Sequence, residues 1–381
     1  MIKKMIKKWL KKIMPRRKKN NKILFESNGF YDNGYVLFNY VRKNYKEYDC
    51  WFYTAYKNRK ITPKDIRKKT IFYYSKKFSF ARVKTFFNLY TFSGYFFSQE
   101  CIPEVDSDRL KVFMPHGFSY KMVKWYAQSY VSRSSHCIVN SSFFAEKFQE
   151  ITGNNHCQYV ILERPTYDLF FREDVNLKEK LNIPASSKII LNMTTFRRTM
   201  TGGINENIFP IDIDFNSLNE TLKEENLYYL IKLHHMFDET DLSVFGEYSN
   251  IVFLKNKDIF AWGLEPTSLM KYADAMITDY SSSGTDYLLF NRPIGYLIPD
   301  IKEYADNPLD GLLWGEDTVN YMPGPHLYNE DDIISFIEEV SNGVDNYALK
   351  RRETAKLFHN SSELKEGYCK AIAEYFLEKK N

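Results

Sequence analysis

Short apolar runs that end in small or polar residues recur along the first half of the chain. We predict strands for five of them: KILFES (22–27), DCWFYTAY (49–56), TIFYYS (70–75), LKVFMPHG (110–117) and SHCIVNSS (135–142). Residues 35–45 have helical spacing, and residues 80–98 mix helical with strand spacing. A buried strand followed by Gly or Ser and then by a helix is the βα unit of a parallel sheet.

The second half repeats this pattern. Its apolar runs are SKIILNMTTFR (187–197), YYLIKLHH (228–235), NIVFL (250–254), DAMITDYSS (274–282) and RPIGYLIP (292–299), the last being the expected final strand. Residues 164–187 contain prolines and charges, which is typical of a connection. We therefore predict an α/β protein with two Rossmann-like domains, at residues 22–168 and 169–381, that face a cleft. Ligands of such sheets bind at the carboxyl ends of the strands, where the polar clusters lie.

Residues 1–21 follow a different pattern from both halves. Apolar side chains at helical spacing share one face: Ile2, Met5, Ile6, Trp9, Leu10 and Ile13. Lysines fill the opposite face, Lys7 and Lys8 among them. Such a helix lies at a membrane surface, where Trp9 and Leu10 enter the headgroup boundary and the lysines attract anionic lipid. We predict that this arm binds an anionic membrane.

A basic, partly apolar arm can also serve as a secretory signal or as a nucleic-acid contact. A secretory signal needs a continuous apolar core and a cleavage site of small residues, and the arm has neither. Nucleic-acid binding would use the lysines but not the stripe that contains Trp9 and Leu10, so we expect no nucleic-acid partner. A solvated, disordered start is compatible with the same residues, and the pattern alone leaves it open.

Charge and cysteine content narrow the class of protein. Residues 1–22 hold eleven Lys and Arg and no acid, which leaves 42 basic against 48 acidic residues, so the net charge of +5 belongs to the arm. The sequence contains no run of eighteen apolar residues, so we predict no transmembrane helix. Five scattered cysteines without a CxxC pair favour a reducing cytosol over a disulfide framework or a zinc site: Cys50, Cys101, Cys137, Cys157 and Cys369.

The segment ADAMITDYSSSGTDYLLFNRPIGYL (273–297) carries the strongest candidate chemistry. AMIT predicts a buried strand, and three serines and a glycine then lead into a helix that we expect to begin near Thr285 and Asp286. A helix start offers free N–H groups and a positive dipole end, and serines add hydroxyl donors. One Ser or Asp would suffice for an ordinary cap. The pattern therefore predicts a phosphate site, although no GxxxxGK[ST] motif occurs.

Three further clusters follow predicted strands. His116 stands beside Gly117, and a neutral imidazole is suited to accept a proton from a hydroxyl group; a His that only bonds a loop carbonyl is the alternative. One or both of His234 and His235 donate hydrogen bonds to a phosphate, or the two form a surface pair. Arg197, with Arg198 next to it, is suited to a diphosphate because guanidinium binds phosphate oxygens bidentately.

A candidate metal motif is also present. Asp212 and Asp214 form a DxD pattern that resembles the metal-binding motif of single-domain glycosyltransferases. Alternating acids beside Ile are more often an edge strand or a loop, and the histidine pair has no further ligands at fixed spacing. We expect no metal site and no cofactor.

The order of these landmarks points to a known family. They are FES (25–27) with Asp32 and Asn33, HG (116–117), TTFR (194–197), KLHH (232–235), ITDYSS (277–282) and PGP (323–325). This set resembles the CDP-glycerol glycerophosphotransferase family, the primases and polymerases of bacterial teichoic acids. The resemblance runs from about residue 22 to the C-terminus. ITDYSS, followed by an aspartate and then by RPI, is its most specific part.

The resemblance implies a GT-B transferase at the cytoplasmic face of the bacterial membrane. A hydroxyl of a lipid-linked saccharide or polymer would attack the β-phosphorus of a CDP-polyol, with glycerol as the expected polyol, and release CMP. By match of motif, His116 is the expected base and His234 the donor-phosphate ligand. The diphosphate would be held by Thr195, Arg197, Ser281 and Ser282, in a loop shaped by Asp279 and Asp286. On the acceptor side the resemblance implies Glu26, Ser27 and Gly117.

The chain also departs from the family pattern. Pro115 precedes HG where the family often has Trp, FSYK follows it in place of TPLK, and KLHH replaces KLHP. The G-PR-D turn of the family becomes ERPTYD (163–168). These differences leave open which polyol and which acceptor are used, so CDP-ribitol is an alternative donor. A nucleotide-sugar transferase of the same architecture and a non-catalytic membrane adaptor are the competing functions, and the oligomeric state is unknown.

Overall fold

Two parallel sheets form the frame of the protein. The computed structural model describes residues 21–54, 63–72, 91–98, 109–121, 124–153, 156–172, 175–197, 208–234, 237–307 and 311–378. Residues 1–20 of the predicted arm, with Lys7, Lys8, Trp9 and Leu10, lie outside the described residues, as do Arg198 and His235. Within the described part of the chain, no helix combines the length and the apolar character needed to cross a bilayer.

Within the described residues, the first sheet contains seven strands, all parallel. They are β1 (Lys22–Glu26), β2 (Asp49–Thr54), β3 (Thr70–Phe72), β4 (Gly94–Phe97), β5 (Leu110–Phe113), β6 (His136–Val139) and β7 (Gln158–Ile161). Their order, β3-β2-β1-β4-β5-β6-β7, reverses direction between β1 and β4. Loops that leave the carboxyl ends of strands near such a reversal form a crevice, which is where open α/β sheets bind ligands.

The second sheet contains six parallel strands in the part of the chain that the structure describes. They are β8 (Lys188–Asn192), β9 (Leu227–Lys232), β10 (Ile251–Leu254), β11 (Ala275–Thr278), β12 (Ile294–Leu297) and β13 (His326–Leu327). Their order, β10-β9-β8-β11-β12-β13, reverses between β8 and β11. All four residues of β11 are buried, as expected of a central parallel strand that is covered on both faces.

Helices connect and cover the strands. They are α1 (Asp32–Asn44), α2 (Lys124–Val131), α3 (Ser142–Thr152), α4 (Leu177–Lys180), α5 (Phe215–Glu224), α6 (Asn256–Ala261), α7 (Ser282–Tyr287), α8 (Ile301–Ala305), α9 (Glu330–Ser341), α10 (Ala348–Phe358) and α11 (Tyr368–Ala373). Short 3₁₀ helices span Arg67–Lys69, Pro165–Phe171, Leu242–Phe245, Pro266–Tyr272, Leu288–Phe290 and Gly315–Tyr321, and Glu374–Glu378 is π-helical.

The predicted α/β fold with two parallel sheets is confirmed, with differences in detail. The expected final strand is β12, but β13 follows it and pairs with it in parallel. β7 extends the edge of the first sheet and was not predicted. The helix expected to begin near Thr285 begins at Ser282 instead, because the Ser281 side chain accepts a hydrogen bond from the Ser283 N–H and caps it.

The end of the chain returns to the first sheet. Ile372 and Phe376 pack in one apolar cluster with Phe25 of β1 and Phe96 of β4. Asp168 holds the start of α11, since its carboxylate accepts hydrogen bonds of 2.8–3.0 Å from the N–H groups of three residues, Gly367, Tyr368 and Cys369. The segment Tyr368–Glu378, which lies late in the sequence, therefore covers the first sheet, which is built from the early part of the sequence.

Candidate active site

A cleft of about 330 Å³ lies between the carboxyl ends of the two sheets. The first half contributes loop residues that follow β1, β5 and β7: Asn28, Tyr31, Asp32, His116 and Arg164. The second half contributes Lys232, His234, Glu265, Ser281, Ser282, Ser283 and Asp286 among others. Predicted residues from both halves therefore line the same cavity.

His116 is held by a carboxylate at the start of α1. Its Nδ1 contacts the Oδ2 of Asp32, a residue that is 9% exposed. Burial alone would raise the pKa of the Asp32 carboxyl, but His116 and Arg164 together hold that pKa below its usual value. Asp32 is therefore a carboxylate at neutral pH, and His116 Nε2 is the nitrogen that can exchange a proton with a ligand.

The neighbours of Asp32 fix the loop that bears His116. Asn33 is fully buried, and its amide donates to the Pro115 carbonyl at 2.7 Å, directly before the histidine. Gly34 lets α1 begin against the end of β1, because a Cβ at this position would overlap the Glu26 carbonyl. The DNG sequence thus joins the β1 and β5 loops into one rigid unit.

The remaining acceptor-side candidates lie around this unit. Glu26 and Ser27 are buried behind the cleft, where Glu26 Oε2 accepts from the Ser98 N–H at 2.9 Å. Gly117 meets the opposite wall: a Cβ there would lie 2.7 Å from both the Cβ and the Oγ of Ser282. Glycine is needed at 117 because the two loops approach so closely.

Asp279, directly after β11, organises the serine loop (residues 281–283). It is fully buried, and its carboxylate accepts from the Thr195 N–H and the Ser281 N–H, each at 3.0 Å. These bonds tie the loop after β8 to the loop after β11. Thr195 Oγ1 in turn accepts from Lys121 Nζ at 2.9 Å. Ser281 and Ser282 consequently stand on a fixed support at the cleft wall.

Arg197 is engaged with carboxylates instead of lining the cleft. Its Nη1 lies 2.5 Å from Asp279 Oδ2, and its Nε lies 2.6 Å from Asp300 Oδ2. The guanidinium also lies over the rings of Tyr280 and Tyr304, at 5.1 Å from each. With these partners Arg197 braces the strand ends that carry the serine loop, and its link to a diphosphate would be indirect.

Asp286 is paired with the first half of the chain. Its Oδ2 accepts from Arg164 Nη1 at 2.5 Å, and its Oδ1 accepts from Tyr167 Oη at 2.6 Å. Burial would lower the pKa of the Arg164 guanidinium, but Asp286 raises it, so the cation persists. Sequence reasoning did not select Arg164 and Tyr167, although both belong to the ERPTYD segment that departs from the family pattern.

The end of β9 brings a lysine and a histidine to the cleft. His234 lies against the Phe196 ring, with 4.5 Å between the ring centroids. Lys232 was not selected from the sequence either; it is buried, and its Nζ donates to the Leu233 carbonyl. Burial lowers the pKa of the Lys232 ammonium to about 8, against the opposing effect of Asp238. Apolar flanks, as in LIKLHH, are the only sequence sign of such a buried cation.

The DxD motif has a structural role at one of its positions. Asp214 caps α5, because its Oδ1 accepts from the Asn216 N–H at 2.9 Å and from the Ser217 N–H at 3.4 Å. Asp212 is exposed in the preceding loop. In the described ranges no group of three or more His, Cys, Asp or Glu side chains is arranged to hold a metal ion.

The fold and the cleft define a two-sheet α/β protein in which a serine-rich loop faces a histidine. The chain belongs to the CDP-Glycerol:Poly(glycerophosphate) glycerophosphotransferase family, whose model matches residues 9–365. This finding confirms the resemblance seen in the sequence. The H444N variant of the wall teichoic acid polymerase TagF has the same fold, with a TM-score of 0.70 at 16% identity over 93% of this chain and 88% of that one.

Curated relatives cover parts of this chain. A teichoic acid poly(glycerol phosphate) polymerase of Bacillus spizizenii is 30% identical over 171 residues, which is 45% of this chain and 40% of that protein. Its counterpart in Staphylococcus epidermidis is 24% identical over 334 residues, 81% of this chain and 44% of the relative. A teichoic acid poly(ribitol-phosphate) polymerase of B. spizizenii is 28% identical over 53% of this chain and 32% of its own length. The chain thus spans less than half the length of these relatives.

Proposed function

We propose that this protein transfers glycerol phosphate from CDP-glycerol to a hydroxyl group of a teichoic acid or related cell-wall polymer, and releases CMP. The observation that carries the proposal is the pairing, across one cleft, of the His116–Asp32 pair with the serine loop, in a chain of this family. The names of the relatives support the same substrate class, and one TagF structure was determined after a soak with CDPG.

The chemistry assigned to the cleft is an in-line displacement. The acceptor hydroxyl oxygen forms a bond to the β-phosphorus, and the bond from that phosphorus to the bridging oxygen breaks. CMP leaves with the electron pair of that bond, and the hydroxyl proton passes to His116 Nε2. Phosphoryl transfer depends chiefly on positioning and on stabilising charge, and a histidine base adds about 10²- to 10⁴-fold.

The second wall is assigned to the donor. Ser281 and Ser282 offer hydroxyl donors at the cleft, and His234 and Lys232 stand at the neighbouring strand end. A cation in a site that excludes water stabilises phosphate charge more strongly than one in bulk solvent. In this proposal Asp279 and Asp286 shape the loop, through Arg197 and Arg164 respectively, and no metal or other cofactor takes part.

The wider setting of the reaction is part of the proposal. In a GT-B architecture, residues 22–168 would bind the acceptor and residues 169–381 the nucleotide donor, with the C-terminal segment returning to the first sheet. The acceptor would be lipid-linked, at the cytoplasmic face of the bacterial membrane. The basic pattern of residues 1–21 supports a peripheral attachment there.

One assay tests the reaction class. Purified protein is offered CDP-glycerol, CDP-ribitol and nucleotide sugars with a lipid-linked acceptor, and the released nucleotide is identified. We expect CMP from CDP-glycerol, and His116→Ala should lower the rate by about 10²- to 10⁴-fold. Release of a nucleoside diphosphate from a nucleotide sugar would contradict the proposal and favour the sugar transferase. Preference for CDP-ribitol would agree with the poly(ribitol-phosphate) relative and change the polyol.

A further inference from the structure

We infer that Asp32 is a positioning residue for His116, and that Glu265 of the second half holds Asp32 in place, so that the base is assembled only when the two halves meet. The inference rests on the proposed function. It adds two residues to the reaction: Asp32, known from the sequence only as part of a landmark, and Glu265, which lies 233 positions further along the chain.

The first observation is the contact itself. Asp32 Oδ2 reaches His116 Nδ1, and Asn33 ties the two loops together through the Pro115 carbonyl. A carboxylate on Nδ1 selects the tautomer in which Nδ1 carries the proton and Nε2 presents the lone pair that can accept one. It also stabilises the imidazolium that forms when the acceptor proton arrives. The lowered pKa of Asp32 keeps this group ionised.

The second observation is the backbone of Asp32. Its φ angle is +71°, in the left-handed region that residues other than glycine rarely adopt. The other non-glycine residues with positive φ in the described chain are Asn182, Asn226 and Asn291, and aspartate and asparagine both tolerate this region better than most residues. Such a conformation persists only where its surroundings hold it, and it clusters at functional sites.

The third observation is what holds it. The Asp32 N–H donates to Glu265 Oε2 at 3.0 Å, across the cleft from the second half. Close by, Gly117 meets Ser282, and the Thr285 hydroxyl donates to the Phe118 carbonyl. The charged groups around Asp32 are thus His116, Arg164 and Glu265, one of them from the other half. Separating the halves would remove the Glu265 bond and release the strained residue.

The variant Asp32→Asn tests the positioning role. Asparagine suits the left-handed backbone, so the fold should be retained, but its amide no longer fixes the tautomer of His116. We expect kcat about 10²- to 10⁴-fold lower, with the Kd for CDP-glycerol within threefold of the wild type. The ¹⁵N chemical shifts of the His116 ring should show a changed tautomer, which a purely structural role would not produce.

Asp49→Asn is the matched control, because Asp49 pairs with Lys69 at the start of β2, away from the cleft. It should leave kcat and the ¹⁵N shifts of the His116 ring unchanged. If wild-type protein releases CMP and Asp32→Asn stays within threefold of its kcat, the inference is overturned and the proposed function stands. If wild-type protein releases CMP from no CDP-polyol, the proposed function itself fails.

Glu265 is tested by a pair of variants. Glu265→Gln keeps an acceptor oxygen for the Asp32 N–H, so its kcat should stay within about threefold of the wild type. Glu265→Ala removes that oxygen, and we expect kcat about 10-fold lower or more, together with the same shift of the His116 ¹⁵N signals. Equal kcat values for the two variants, or unchanged ring signals in Glu265→Ala, would refute the link between the halves.

Discussion

Charge in the cleft is distributed unequally among its cations. Arg164 is paired with Asp286, and Arg197 is engaged with Asp279 and Asp300 behind the wall. Lys232 differs, since its ammonium contacts a neutral carbonyl in a buried position. Asp238 acts on this ammonium, but among the described residues no carboxylate forms an ion pair with it, so an incoming phosphate would supply a close counter-charge. Lys232 is therefore the residue on which donor binding should depend most.

This role makes donor affinity depend on pH. The pKa of Lys232, about 8, means that the free protein loses this charge as the pH rises through that value. The Kd for CDP-glycerol should therefore increase above pH 8. Lys232→Arg, which stays charged, should remove this dependence, and Lys232→Met should weaken binding at pH 7 by about 10- to 100-fold. Isothermal titration calorimetry between pH 6.5 and pH 9.5 measures the effect.

The control is Lys223→Met. Lys223 lies on the surface of α5 and forms an ion pair with Glu220. Its Kd should follow the wild-type pH dependence. Wild-type affinity in Lys232→Met at pH 7 would show that this lysine does not contact the donor.

Secondary-structure elements were predicted well where an apolar run is long and fully buried. β8 and β11 lie inside the runs that indicated them, and β9 begins one residue before its run, because continuous apolar runs mark strands covered on both faces. β7 was missed because it is an edge strand with two exposed residues, and β13 because it has only two residues. Sequence patterns report burial, and short edge strands are defined by their pairing instead.

The docking of α1 on β1 gives a prediction at this scale. Gly34→Ala would place a methyl group on the Glu26 carbonyl, and neither backbone segment can yield without moving the DNG unit. We expect the free energy of unfolding to fall by about 1–3 kcal/mol, as for other overpacked sites. Urea denaturation followed by circular dichroism measures this loss.

Gly94→Ala is the matched comparison in the same sheet. A Cβ at position 94 would make ordinary contacts of 3.7–3.9 Å with Leu110, so its stability should change by less than about 1 kcal/mol. Similar stabilities for the two variants would contradict the close approach at Gly34.

At the scale of the whole molecule, the site depends on contacts between distant parts of the sequence. The strand-end rule brought His116, His234, Ser281 and Ser282 to one cleft, because parallel strands end at a common edge. Asp32, Arg164, Lys232 and Glu265 were not selected as site residues, since their partners or their burial are set by the packing of the halves. A single sequence shows the residue types and their order, but it does not show which side chains contact each other across the two halves.

The C-terminal segment offers a test of this long-range organisation. Asp168, in the connection between the halves, accepts three N–H groups at the start of α11, and α11 covers β1 and β4. In Asp168→Ala those three N–H groups lose their acceptor, which loosens residues 368–378. The first sheet then loses the segment that covers it. We expect faster hydrogen exchange in β1, β4 and residues 368–378, with the second sheet unaffected.

Asp345→Ala, which breaks an ion pair with Arg351, should perturb the second half instead. Uniformly faster exchange in both sheets of Asp168→Ala would mean that the halves unfold as one cooperative unit, contrary to this expectation.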